Sequence, residues 1–265
     1  MIAAQNYVKT ILQTQNKLAK KAFLKSHIYA GIVFLASFIF ALVITIIYKN
    51  VWSKSIQSTN ALFISSSISL SVGILIVIFS SFFVDINRSK TRIITFFVLV
   101  WLFLSYGLGG LLSSVDAANS LGIDENIKLS TFIVPLLIVS VVYISTSILG
   151  YYMSNKVGFS LAKLLFAMLI INIIFILGIN IVYIFGFNAF KFDWIFLIIS
   201  IVSLVISVIS LVVSSFITKN TAEMIQLSGN EGLIQNFIIY NAYMLFIRLF
   251  SLFIDILRLF AYFRS

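Results

Sequence analysis

Seven uninterrupted apolar runs occupy most of this chain, at roughly 28–48, 61–84, 92–114, 129–151, 160–186, 192–217 and 234–262. A helix rises 1.5 Å per residue, so about 20 apolar residues cross the hydrocarbon core of a bilayer, and every run reaches that length. The runs are continuous and do not alternate over ten-residue stretches, which argues against a transmembrane barrel. Open sheets would leave backbone groups unpaired in lipid, where nothing can satisfy them. The expected fold class is therefore all-α: a polytopic membrane protein with about seven transmembrane helices.

Composition agrees. Of 265 residues, 61% are hydrophobic and 10% charged, against about 25% charged in ordinary soluble domains. One soluble core of this size could not hide so much apolar surface. The chain is basic, with 18 Lys+Arg against 8 Asp+Glu and a net charge of +10. These charges sit at the ends of the apolar runs and form no basic domain, so nucleic acid is not an expected partner; the lipid bilayer is. There is no cysteine and one histidine, His27, which removes disulfides, thiol nucleophiles and multi-histidine metal centres. His27 borders the first run and reads as an interface residue, with pH sensing as the weaker alternative. No phosphate-binding Gly-Lys loop, nucleophile elbow or His-Glu-x-x-His is present, so the reading is of a non-enzyme with no cofactor. The Ile, Asn, Lys and Phe bias suggests an AT-rich bacterial genome.

Residues 1–27 are polar and basic and do not read as a cleavable signal. Ile11, Leu12, Leu18, Phe23 and Leu24 suit a short amphipathic helix on the membrane surface. The domain reading is a basic cytoplasmic segment, 1–27, followed by a transmembrane domain, 28–265. With the N-terminus cytoplasmic, that side holds Lys9, Lys17, Lys20, Lys21, Lys25, Arg88, Lys90, Arg92, Lys156, Lys163 and Lys219. The opposite side holds Lys49, Lys54, Lys128 and Lys191, together with the acidic loop of Asp116, Asp124 and Glu125. Eleven cations against four follow the positive-inside rule and point to a bacterial plasma membrane with a cytoplasmic N-terminus.

The last run carries the chemistry. Asn241, Arg248, Asp255 and Tyr262 recur every seven residues and so share one helix face, flanked by Ser251 and Arg258. Ionisable groups inside a membrane cost at least ~2.5–3.5 kcal/mol each on insertion scales and are functional candidates by default. The alternative is structural: an Asp255–Arg258 pair with Arg248 snorkelling or bonded to carbonyls. In the sixth run, Ser200, Ser203, Ser207, Ser210 and Ser214 form a second stripe. It reads as a close helix-packing seam, or as a hydroxyl-lined hydrated path. Asn172 and Asn180 read as interhelical hydrogen-bond glue, and Asp193 as a cap at a helix start.

Four stretches carry a resemblance: FLKSHIYAGIVFLASFIFALVI, WLFLSYGLGGLLSSV, ILGYYMSNKVGFSLAKLLFAMLI and LFIRLFSLFIDILRLFAYF. In order and spacing, from about Phe23 to Phe263, they resemble the transmembrane Bax inhibitor motif family. The resemblance implies seven helices with the last helix central in the bundle. It also implies a pH-sensitive calcium leak, gated by two aspartates on helices six and seven that share a proton. The chain departs from that pattern. Arg248 stands where the helix-seven aspartate would be, and Asp255 follows two turns later. The helix-six position falls near Thr221, where Glu223 is the nearest acid. The candidate pore or gate is therefore Asp255, Arg248, Arg258, Glu223, Asn241 and Ser251, with Ca²⁺ or another cation as partner. A permease subunit for a small solute and a non-transporting membrane scaffold are the alternatives.

Overall fold

A computed structural model describes residues 2–51, 56–87, 89–120, 130–184, 193–227 and 230–262. Among the described residues every regular element is an α-helix: α1 Ile2–Val51, α2 Ile56–Phe83, α3 Lys90–Ser120, α4 Ser130–Tyr152, α5 Asn155–Ile184, α6 Asp193–Leu227 and α7 Glu231–Tyr262. All seven are long and apolar enough to cross a membrane, as the seven runs require. The protein is thus a polytopic α-helical membrane protein. Its backbone hydrogen bonds close within each helix, which is the condition for resting in hydrocarbon. Where the sequence suggests a surface helix followed by a spanning one, the backbone runs as one helix through residues 27 and 28. The acidic residues Asp124 and Glu125, and the cations Lys54, Arg88, Lys128 and Lys191, lie outside the described residues.

The chain forms two compact units. One comprises Met1–Leu129 and Thr221–Ile247, the other Ser130–Asn220 and Arg248–Ser265. Helices α6 and α7 each give one part to each unit. In the first unit α3 packs against α1 and α2. Glycine sets the spacing: a methyl group on Gly109 would come within 2.9 Å of the Ala41 carbonyl oxygen, and one on Gly110 within 2.5 Å of Ser66 Cβ. Aromatic side chains fill the unit beside them. Phe97 meets Tyr243 at 5.5 Å and Phe246 at 5.7 Å between ring centroids. A second cluster joins Ala19 and Ala22 of α1 to Ala222, Phe237 and Ile238.

In the second unit Leu165 of α5 packs on Ile206 and Val213 of α6, and the Phe159 ring stands edge-on to Phe216 at 5.4 Å. Outward faces are apolar. On α4, Leu137, Val141, Ile144 and Ile148 form an exposed stripe at spacings of three and four, the surface a lipid-facing helix needs. Burial is uneven among the seven spans. The apolar window of α7 is 56% buried and that of α5 only 11%, which makes α7 the place where polar residues can be sheltered.

Gly150 brings α4 against α6. A methyl group there would sit 2.5 Å from the Val212 carbonyl oxygen and 2.6 Å from Ser215 Cβ, and backbone cannot yield as a side chain can. Gly150→Val is expected to destabilise the protein by at least about 2 kcal/mol, read as a lowered midpoint of denaturant unfolding in detergent. Leu137→Val on the lipid face is expected to leave that midpoint nearly unchanged.

Candidate functional site

A carboxylate inside a helical bundle faces a shortage of donors, because the helix backbones have already used their N–H groups. Only side chains can serve it. Asp255 of α7 is 3% exposed, and both carboxylate oxygens are served by α6. Ser203 Oγ donates to Oδ1 at 2.9 Å and Ser207 Oγ to Oδ2 at 2.5 Å. Two turns earlier on α7, Arg248 Nη1 donates to the Ser210 carbonyl oxygen at 2.9 Å and also to Ser210 Oγ.

The two stripes legible in the sequence are therefore two sides of one seam. The register is regular: residue 248 pairs with 210 and residue 255 with 203, so a seven-residue advance along α7 matches a seven-residue retreat along α6. That is the signature of antiparallel helices whose polar faces both repeat every two turns. Serine is small enough to let the backbones approach and carries the hydroxyl that the carboxylate needs. The packing-seam reading of the serine stripe thus fits Ser203, Ser207 and Ser210, which also carry the hydrogen bonds to α7. Packing and hydrogen bonding are one property of the same residues.

Other members of the candidate set fall elsewhere. Arg258 does not pair with Asp255 among the described residues, and both it and Ser251 are exposed. Their three- and four-residue offsets from Asp255 turn them by about 60° and 40° around the helix, past the edge of the buried arc. Arg258 lies close to the end of the α7 span at Phe260, where a long basic side chain reaches the interface. Glu223 and Asn241 belong to the other unit. Glu223 is exposed, and the half-buried Asn241 returns its amide to its own helix, to the Phe237 carbonyl oxygen at 3.1 Å. Of the candidate set, Asp255 and Arg248 are the members bonded to α6 serines within the second unit among the described residues, with Ser203, Ser207 and Ser210 as partners.

Arg248 and Asp255 are separated by about 10 Å along the helix axis. At an effective dielectric near 20, opposite unit charges at that range attract by only about 1.6 kcal/mol. No group of three His, Cys, Asp or Glu side chains that could hold a metal ion occurs among the described residues.

Further residues correct or extend the sequence reading. His27 is buried at 6%, with Nδ1 2.9 Å from the Phe23 carbonyl oxygen and its ring 4.0 Å from that of Phe23. Asn172 Oδ1 is buried with no hydrogen-bond partner among the described residues. The side chains of Asn180 and Tyr262 lie outside the described set, while α6 does begin at Asp193. Sequence reasoning missed Tyr243 and Ser80, whose hydroxyls meet at 2.5 Å in the first unit with both residues buried. A tyrosine among phenylalanines carries no periodic signal of its own.

Comparison of the chain with protein-family models, with curated proteins and with solved structures finds no match in any of the three.

Removing a donor from a buried carboxylate leaves the charge underserved, and hydrogen bonds to charged groups contribute about 1.5–3 kcal/mol. Ser207→Ala is expected to destabilise the protein by roughly 1–2 kcal/mol. In the Asp255→Asn background the same substitution is expected to cost less than half of that. A double-mutant cycle by unfolding in detergent gives the coupling, and additive effects would show the contact to be energetically silent.

Proposed function

We propose that this membrane protein passes small cations across the bilayer as a passive leak of the transmembrane Bax inhibitor type. Asp255 is the carboxylate a cation meets inside the membrane, and Arg248 is its counter-charge. The observation that carries the reading is that Asp255, 3% exposed on the most buried span, is bonded by two neutral hydroxyls and by neither arginine. An ionised carboxylate without a cation beside it is costly in a bundle, and a passing cation relieves that cost. Serine hydroxyls rotate, so Ser203 and Ser207 can exchange donation to the carboxylate for lone-pair contact with an ion.

The reading departs from a calcium leak in one respect. A site with two carboxylates offers a divalent ion two negative charges; here the partners are one carboxylate and hydroxyls. The fixed charge of Arg248 repels a divalent ion twice as strongly as a monovalent one at the same distance. A leak built on these residues therefore favours K⁺ or Na⁺ over Ca²⁺. The setting proposed is a bacterial plasma membrane, on the Ile, Asn, Lys and Phe bias of the chain, with the N-terminus cytoplasmic, supported by the distribution of Lys and Arg.

A second reading draws on the same contacts. Both carboxylate oxygens are bonded, as they would be if Asp255 were a staple between helices of a non-transporting scaffold. Flux separates the two. In liposomes the wild type is expected to pass K⁺ above the empty-liposome level, Asp255→Asn to reduce that flux at least tenfold, and Arg248→Gln to raise Ca²⁺ flux relative to K⁺. Wild-type flux equal to that of empty liposomes removes the leak and leaves the staple.

A further inference from the structure

The N-terminal part of α1 has two faces of different chemistry. At 100° per residue, Ala19, Ala22, Phe23, Ser26 and His27 fall on one side of the helix and are all buried, with Ala19 and Ala22 seated against Ala222, Phe237 and Ile238. Lys17, Lys20, Lys21 and Lys25 fall on the opposite side, within an arc of about 140°, and all four are exposed. None of the four has a carboxylate partner among the described residues, and the α1 sequence contains no acid. Leu18, Leu24 and Ile28 are interleaved with them and also exposed, at 43%, 54% and 47%.

Further along the helix this outward face becomes purely apolar. Ile28 is followed at helical spacing by Ile32, Leu35 and Ile39, each about half exposed or more. Such a stripe rests in acyl chains. Lys25 lies about 10 Å along the axis from Ile32 and Lys21 about 16 Å, which places the ammonium groups at headgroup depth while Leu24 and Ile28 reach the hydrocarbon edge. Because α1 is continuous and its inner face is packed, the lysines are held on a rigid helix.

We infer that the outer face of α1 from Lys17 to Ile28 is a docking surface for anionic phospholipid headgroups. Each lysine near an anionic leaflet adds to the attraction, and the interleaved leucine and isoleucine require an occupant with an acyl region as well as a phosphate. That chemistry selects a lipid over a free anion. The surface is independent of any ion passage at Asp255.

The test is native mass spectrometry of the full chain in neutral detergent, with equal amounts of phosphatidylglycerol and phosphatidylcholine. The wild type is expected to retain at least about a hundredfold more phosphatidylglycerol, and millimolar inorganic phosphate is expected not to displace it. Replacing Lys17, Lys20, Lys21 and Lys25 together by Gln is expected to lower that preference at least tenfold, at about fivefold per lysine, with unchanged helicity by circular dichroism. Should the quadruple variant not fold, Lys17→Gln with Lys21→Gln is expected to lower the preference by an order of magnitude. Lys156→Gln with Lys163→Gln on α5 serves as the control and is expected to leave it intact. Equal retention of the two lipids by the wild type, displacement by phosphate, or an equal loss in the α5 control would overturn the inference.

Discussion

Hydrocarbon offers no hydrogen-bond partners, and this rule reaches from the backbone of the protein to its smallest polar side chains. Among the described residues, several membrane serines and threonines satisfy themselves. Ser26, Ser37, Thr45, Ser113, Ser140 and Ser147 each donate to the carbonyl oxygen four residues earlier. A hydroxyl can do this because helix carbonyls have a spare lone pair. A carboxylate cannot, since it needs donors and the helix has none left. Asp255 is thus obliged to find hydroxyls on a neighbouring helix, and it is this demand that ties α7 to the serine face of α6.

Small residues make the tie geometrically possible. Serine occupies the α6 seam beside Asp255 and Arg248, and glycine does the equivalent elsewhere, at Gly109 against Ala41 and at Gly150 against Val212. With no hydrophobic drive between helices in lipid, contact distance matters more than apolar area. Many other large apolar side chains face outward. Ile39, Leu137 and Ile171 are all at least 60% exposed, which in a soluble protein would invite aggregation and here meets acyl chains.

The contacts of the charged residues bear on how far a family pattern can be carried over. A dyad of aspartates holds a shared proton through mutual repulsion. Around Asp255 the partners are hydroxyls, and the cation two turns away has its own serine. Among the described residues this seam holds one carboxylate and one guanidinium.

Hydrophobic run length alone determined that the chain is helical, that it has seven spans, and roughly where each lies, because the bilayer permits one solution for an apolar stretch of 20 residues. Periodicity alone also determined that Arg248 and Asp255 share a face, and that Ser203, Ser207 and Ser210 share another. It could not say that these faces meet. Periodicity reports the rotation of residues about their own helix axis and is silent on which helix lies opposite. The antiparallel register that matches 248 with 210 and 255 with 203, the outward turn of Ser251 and Arg258, and the burial of His27 and Tyr243 were decided by tertiary packing. Each depends on the angle at which a second helix approaches, and that angle is set by small residues and hydrogen-bond demand summed over both surfaces.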